Sequence, residues 1–110
     1  MTTVTFLLDD NGLCGFDIAG HSTESCDDQI GKIVCAAVSS AAYMAANTVL
    51  DVFCESSETE IDDARMLFSV KNPSDAARGV LKGFQLHIGQ LSDQYSKHIK
   101  ILGGANHVKD

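Results

Sequence analysis

Residues Ile30 to Phe53 constrain the fold most, because this run is rich in Ala, contains no Pro, and is long enough to read as one continuous helix. Its Ile33, Val34, Ala37, Ala41, Met44, Ala45, Thr48 and Val52 spread over a wide apolar face, so much of the helix is expected to be buried. The small Ala and Ser side chains let it lie close to a sheet or to a second copy of itself. Asp27 or Asp28, at the end of a polar, acidic loop from Ser22, is placed to cap it. Ser39, Ser40, Asn47 and Asp51 interrupt the run short of the roughly 18 to 20 apolar residues of a membrane span, so no membrane association is expected.

The rest of the chain supplies the cover. Thr3 to Leu8 is β-branched and apolar, Asp9-Asp10-Asn11-Gly12 is a turn, and Leu13 to Ala19 reads as the returning strand of a hairpin. After the helix, Thr59 to Ile61 reads as a short strand and Arg65 to Val70 as a clearer one. Asn72-Pro73-Ser74 ends that strand, and Ser74 or Asp75 begins a second helix. In it Leu81, Phe84, Ile88, Leu91 and Tyr95 form an amphipathic stripe that runs to about His98. A further short strand is possible at Ile99 to Leu102, before Gly103-Gly104 and a polar tail. The expectation is one α+β domain over residues 1–110: a mainly antiparallel sheet of about four strands, order ββαββα, with two long helices packed on it.

Apolar residues are 45% of the chain and charged ones 21%, as in an ordinary folded soluble protein. Eight Lys and Arg against fifteen Asp and Glu give a formal charge of -7, which argues against direct nucleic-acid binding through phosphates. A basic protein substrate suits such a surface. Cys14, Cys26, Cys35 and Cys54 show no Cys-x-x-Cys pattern, and Met1-Thr2-Thr3 leads straight into a strand rather than a secretion signal. Reduced thiols in a cytoplasm are expected. No cofactor or metal motif is present in the sequence.

His21 and Cys35 carry the chemistry. His21 closes the second strand and Cys35 lies about one turn inside the first helix, so one loop can bring imidazole and thiol together. The helix dipole and the unpaired N–H groups of a helix start favour a thiolate there and offer donors for an oxyanion. The plainer alternative makes Cys35 a small buried hydrophobe and His21 an ordinary strand-end residue. His87 and His98, on the second helix, and His107, in the tail, read as surface or core-edge residues. Asp17 leads toward His21, but the strand's alternation leaves its face open. Gly20 allows a tight turn or close substrate approach, and Ser39 shares the helix face of Cys35 one turn on. A Cys26–Cys35 disulfide would block the nucleophile. A metal site from His21, Cys26 and Cys35 lacks a fourth ligand.

Gly20-His21-Ser22 followed by Ile33-Val34-Cys35-Ala36-Ala37-Val38-Ser39 resembles the signature of the ribosomal-processing cysteine protease family, Prp. The resemblance implies a bacterial, cytoplasmic, homodimeric endopeptidase that removes the N-terminal extension of large-subunit ribosomal protein L twenty-seven. It implies Cys35 and His21 as the catalytic dyad, with Gly20, Ser22 and Ser39 around the substrate and the Ser22 to Asp28 loop as a lid. Where that family commonly carries Asp three residues before the Cys, this chain has Lys32. Lys32 and a longer loop motivate a second reading, a noncatalytic ribosome-associated binding module of the same fold. A third is a thiol redox regulator using Cys26 and Cys35.

Overall fold

The computed structural model describes residues 1–21 and 28–105. Strands β1 (Thr2–Asp9) and β2 (Gly12–Ala19) precede helix α1 (Gln29–Asn47), which continues into a π-helical turn, Thr48–Val52. Strands β3 (Ser57–Asp62) and β4 (Arg65–Val70), helix α2 (Asp75–Gln94) and strand β5 (Ile99–Ala105) complete the order.

The expected ββαββα order is present, but the sheet has five strands rather than about four, arranged β3-β4-β2-β1-β5. It is mixed: β5 runs parallel to β1, with Val4 beside Ile101, while the other pairs are antiparallel. A parallel return needs a crossover, and α2 provides it by spanning the sheet between β4 and β5. The N-terminal hairpin forms as read, with Gly12 at φ 131° and the Asp9 carboxylate accepting the Asn11 N–H at 2.8 Å. A bulge between Leu7 and Leu8 leaves Cys14 without a cross-strand partner. Cys14 is fully buried, and burial pushes its thiol up to about 11, so it stays protonated at neutral pH.

Both helices cover one face of the sheet. Phe16, on the central strand β2, lies 4.5 Å from the ring of Phe84 on α2 and 5.5 Å from that of Phe68 on β4. Phe6 meets Phe84 edge-on at 5.9 Å. The α2 stripe is as read, with Leu81, Phe84 and Ile88 buried and Leu91 and Tyr95 packed at its margin. The helix stops at Gln94, however, so His98 sits in the turn before β5.

On α1 the buried line is Val34, Val38, Ala42, Ala45 and continues to Val49, whereas Ile33, Met44 and Val52 are 58%, 62% and 71% exposed. The expected face was therefore rotated by about one residue. A helix apolar on nearly every side carries two adjacent stripes of the same period, and periodicity alone cannot choose between them. Segment Gln29–Val52 is also long and apolar enough to cross a membrane by length and composition, contrary to the expectation that its polar residues break it. One side of it is consumed by the core, the situation of a core helix in a globular fold.

The helix starts are secured by carboxylates. Asp28 Oδ1 accepts the Gly31 N–H at 2.9 Å and caps α1. Ser74 caps α2 by accepting the Ala77 N–H at 3.1 Å, while its own hydroxyl donates to Glu55. The Glu55 carboxylate also accepts the Ser74 N–H at 3.0 Å, and these bonds hold it below the usual glutamate range. Arg78 reaches from α2 to the hairpin turn, donating to both Asp9 oxygens at 2.9 and 3.1 Å and to the Leu13 carbonyl at 2.9 Å.

The Arg78 guanidinium holds the Asp9 carboxyl below its ordinary value of 3.8. The pair therefore stabilises the fold above about pH 4, and its contribution is lost as pH falls through the lowered folded value. Arg78→Leu strands a largely buried carboxylate and is expected to cost about 2 kcal/mol at pH 7. Urea unfolding at pH 7 and pH 3 checks this: the difference between variant and parent should shrink at pH 3.

Candidate active site

Strand β2 ends at Ala19, and the next residue, Gly20, donates its N–H to the Ala64 carbonyl at 2.8 Å. Gly20 has φ 88°, a conformation that side chains rarely adopt, and a Cβ built on it would lie 2.5 Å from the Met1 carbonyl oxygen. The Met1 amine in turn donates to the His21 carbonyl at 2.5 Å. His21 is thereby held where β2, the chain start and the β3–β4 turn converge. Its neighbour Ser22 and the rest of the expected lid, through Asp27, lie outside the described residues, as does Cys26. The disulfide, redox and metal readings that use Cys26 lie outside them too, and so does His107.

A cleft of about 200 Å³ opens between α1 and this end of the sheet. His21 and Gly20 line it from the β2 end, and Cys35, Val38, Ser39 and Tyr43 line it from α1. Their spacing of three, four and eight residues is one face of a helix, the face whose deeper part is the buried line Val34, Val38, Ala42. The hairpin residues Ile61 to Met66 form the far wall, and Ile18 and Thr2 contribute to the lining. Of the five residues picked from the sequence, the fold thus brings four, Gly20, His21, Cys35 and Ser39, around one space.

The structure sharpens two expectations about the site. Because α1 begins at Gln29, Cys35 lies in its second turn, beyond the unpaired N–H groups of the helix start. The Gly31 N–H is taken by Asp28 Oδ1 and the Lys32 N–H by the Asp28 carbonyl at 3.1 Å. Those of Gln29 and Ile30 lie roughly 8 to 9 Å back along the axis at 1.5 Å per residue. Asp17, whose face was open, points away from the helices: its neighbours Phe16 and Ile18 face the core and the cleft. There it holds Arg65 through two bonds of 3.0 and 2.8 Å. It does not orient His21.

The sequence profile of the family described as Cysteine protease Prp matches residues 1–100. The chain belongs to that family. The ribosomal processing protease Prp from S. aureus, in complex with a covalently linked product peptide, shares the fold with a TM-score of 0.83 at 19% identity, over 94% of this chain and 100% of that one. Its complex with a substrate peptide gives 0.82 at 18%, with coverage of 94% and 100%. SMU.848 from Streptococcus mutans gives 0.78 at 19%, with 94% and 96% covered. No curated protein sequence matches the chain.

Lys32, the position the resemblance singles out, is exposed and does not line the cleft. The carboxylates that do line it are Asp62 and Asp63, at the β3–β4 turn, which the sequence reading did not single out. Their signal was an Asp-Asp turn between two strands. What brings them to the cleft that His21 lines is the pairing of Ala19 with Arg65 across β2 and β4, a long-range register.

Gly20→Ala is expected to cost about 1 to 2 kcal/mol, since it meets both a strained φ and a backbone oxygen that cannot step aside. The melting temperature should fall by several degrees, and the His21 ring resonances should shift in NMR spectra, whereas Gly79→Ala on the open side of α2 should leave those resonances in place and raise the melting temperature slightly, since Ala is the better helix former.

Proposed function

We propose that this chain is a ribosomal-processing cysteine endopeptidase in which Cys35 is the nucleophile and His21 the general base and acid. The observation that carries the reading is that His21 and Cys35, distant in sequence and on different elements, line the same cleft in a chain of a cysteine protease family. The Cys35 sulfur would attack the scissile carbonyl carbon as the thiolate, with the thiol proton held on His21. His21 would then give that proton to the leaving amine, leaving a thioester on Cys35. Water, deprotonated by His21, would release the acid product and restore the thiol.

The substrate is the N-terminal extension of large-subunit ribosomal protein L twenty-seven, and the setting the bacterial cytoplasm. Support comes from the family and from the S. aureus relative, which is described as a ribosomal processing protease and was captured with peptides. The acidic balance of the chain suits a basic ribosomal substrate. Gly20 and Ser39 would contact the peptide within the cleft, and Ser22 would join them from the adjoining segment.

The assembly is a homodimer through the outer side of α1. Ile30, Ile33 and Met44 form an exposed apolar line there, set off from the buried one, and short Ala36 and Ser40 between them permit close helix approach.

Cys35→Ala and His21→Ala should each lower kcat/KM on a peptide spanning the extension junction by at least about a thousandfold without changing the melting temperature, since neither is in the core. Unchanged cleavage in Cys35→Ala would remove the reading. Ile33→Lys should convert a dimer to a monomer in sedimentation equilibrium; a parent chain that is monomeric at high concentration would refute the interface.

A further inference from the structure

Strand β3 is the edge of the sheet, and no described strand pairs with its outer side. Which of its backbone groups face outward follows from two bonds. Gly20 donates to the Ala64 carbonyl, so Ala19 and Arg65 are a widely spaced pair and Ile18 and Met66 a mutually bonded one. Met66 therefore spends its N–H and C=O on β2, and Ile61, opposite it on β3, turns its own groups to the free edge. At the other end Lys71 donates to the Ser56 carbonyl at 3.0 Å, which makes Ser57 and Val70 a widely spaced pair by the same rule. Ser57, Thr59 and Ile61 thus carry the unpaired donors and acceptors of the edge.

The side chains alternate with equal regularity. Thr59 and Ile61 stand on the helix-covered side, in line with Phe68 and Met66, and Ile61, 53% exposed, is itself part of the cleft wall. Glu58, Glu60 and Asp62 stand on the uncovered side, in line with Ser69, Leu67 and Arg65. Arg65 is committed to Asp17 through two bonds, so the row of carboxylates carries net negative charge. The free edge runs directly into the cleft that holds Cys35, through Ile61, Asp62 and Asp63.

We propose that the substrate peptide binds as an added strand on β3, pairing with Thr59 and Ile61, and that Glu58, Glu60 and Asp62 select basic side chains at alternate positions along it. The inference rests on the proposed protease reading for the role of the cleft. An extended chain satisfies the outward N–H and C=O groups, places apolar side chains beside Ile61, and sets Lys or Arg beside the carboxylates. The same carboxylates oppose pairing of β3 with another copy of itself, since like charges would then face one another. One feature of the edge therefore both admits a basic peptide and keeps the chain from self-association there.

The test is amide hydrogen exchange on the full chain carrying Cys35→Ala, with a blocked synthetic peptide that alternates lysine and valine. Binding should slow exchange at Thr59 and Ile61 by about tenfold or more while leaving Glu58 and Glu60, already bonded to β4, unchanged. A glutamate–valine peptide should give no protection. Thr59→Pro, which removes an outward donor and no bond to β4, should weaken lysine–valine binding at least about fivefold. Absence of saturable binding, a bound peptide that leaves Thr59 and Ile61 exchanging freely, or equal protection by the glutamate peptide would overturn the proposal. Protection with no cleavage of any peptide by the parent chain would instead sink the protease reading and leave the strand addition standing.

Discussion

The antiparallel pairing of β2 with β4, in the register that sets Ala19 opposite Arg65, is the constraint on which the rest of the site depends. It carries the Gly20 N–H to the Ala64 carbonyl and so places His21 against the β3–β4 turn. A slip of one residue would turn one strand over relative to the other, sending Phe16 to the uncovered face and Asp17 toward the core if β2 moved, or Phe68 to the uncovered face if β4 did. The register is thus held by the cost of exposing an aromatic ring and, where β2 moves, of burying a carboxylate. Truncating one such ring in a core costs about 3 to 5 kcal/mol, a large fraction of the stability of a small domain.

Helix α1 meets this sheet edge with small side chains, and their smallness is what leaves room for a cleft. Val38 and Ala42 close the interior, while the short Cys35 and Ser39 on the neighbouring line of the same helix, with Tyr43 one turn further on, line the space that faces β4. Larger residues there would fill the space between helix and hairpin. The helix is anchored at its start by Asp28, which caps it and also lies 3.6 Å from His98 at the entry to β5. The N-terminal end of α1 is therefore tied to the opposite end of the chain, and the thiol is presented on a rigid element rather than on a loop.

Charge is distributed with the same economy. The ion pairs that stabilise the fold, Asp9 with Arg78 and Asp17 with Arg65, use up guanidinium groups in internal contacts. Asp62 and Asp63, at the β3–β4 turn, are left as the electrostatic character of the cleft. Cys14 shows the converse arrangement: a thiol buried beside Asp9, pushed toward its neutral form and given no opening to substrate. Two cysteines in one small fold are thus separated into a packed residue and a cleft residue by environment alone.

Much of this was legible in the chain itself. The hairpin followed from Asp-Asp-Asn-Gly between two β-rich runs, α2 from the spacing of Leu81, Phe84 and Ile88, and the candidate pair from where His21 and Cys35 sit at element ends. These are local properties, encoded by turn chemistry and periods of two and 3.6. The inward face of α1 was not legible, because both of its stripes are apolar and only contact with the sheet distinguishes Val34 from Ile33. Nor were the parallel addition of β5, the turning outward of Asp17, or the arrival of Asp62 and Asp63 at the cleft that His21 lines. Each of these depends on which residues meet across long stretches of sequence, and that is decided by the register that buries the most apolar surface, a property of the folded whole.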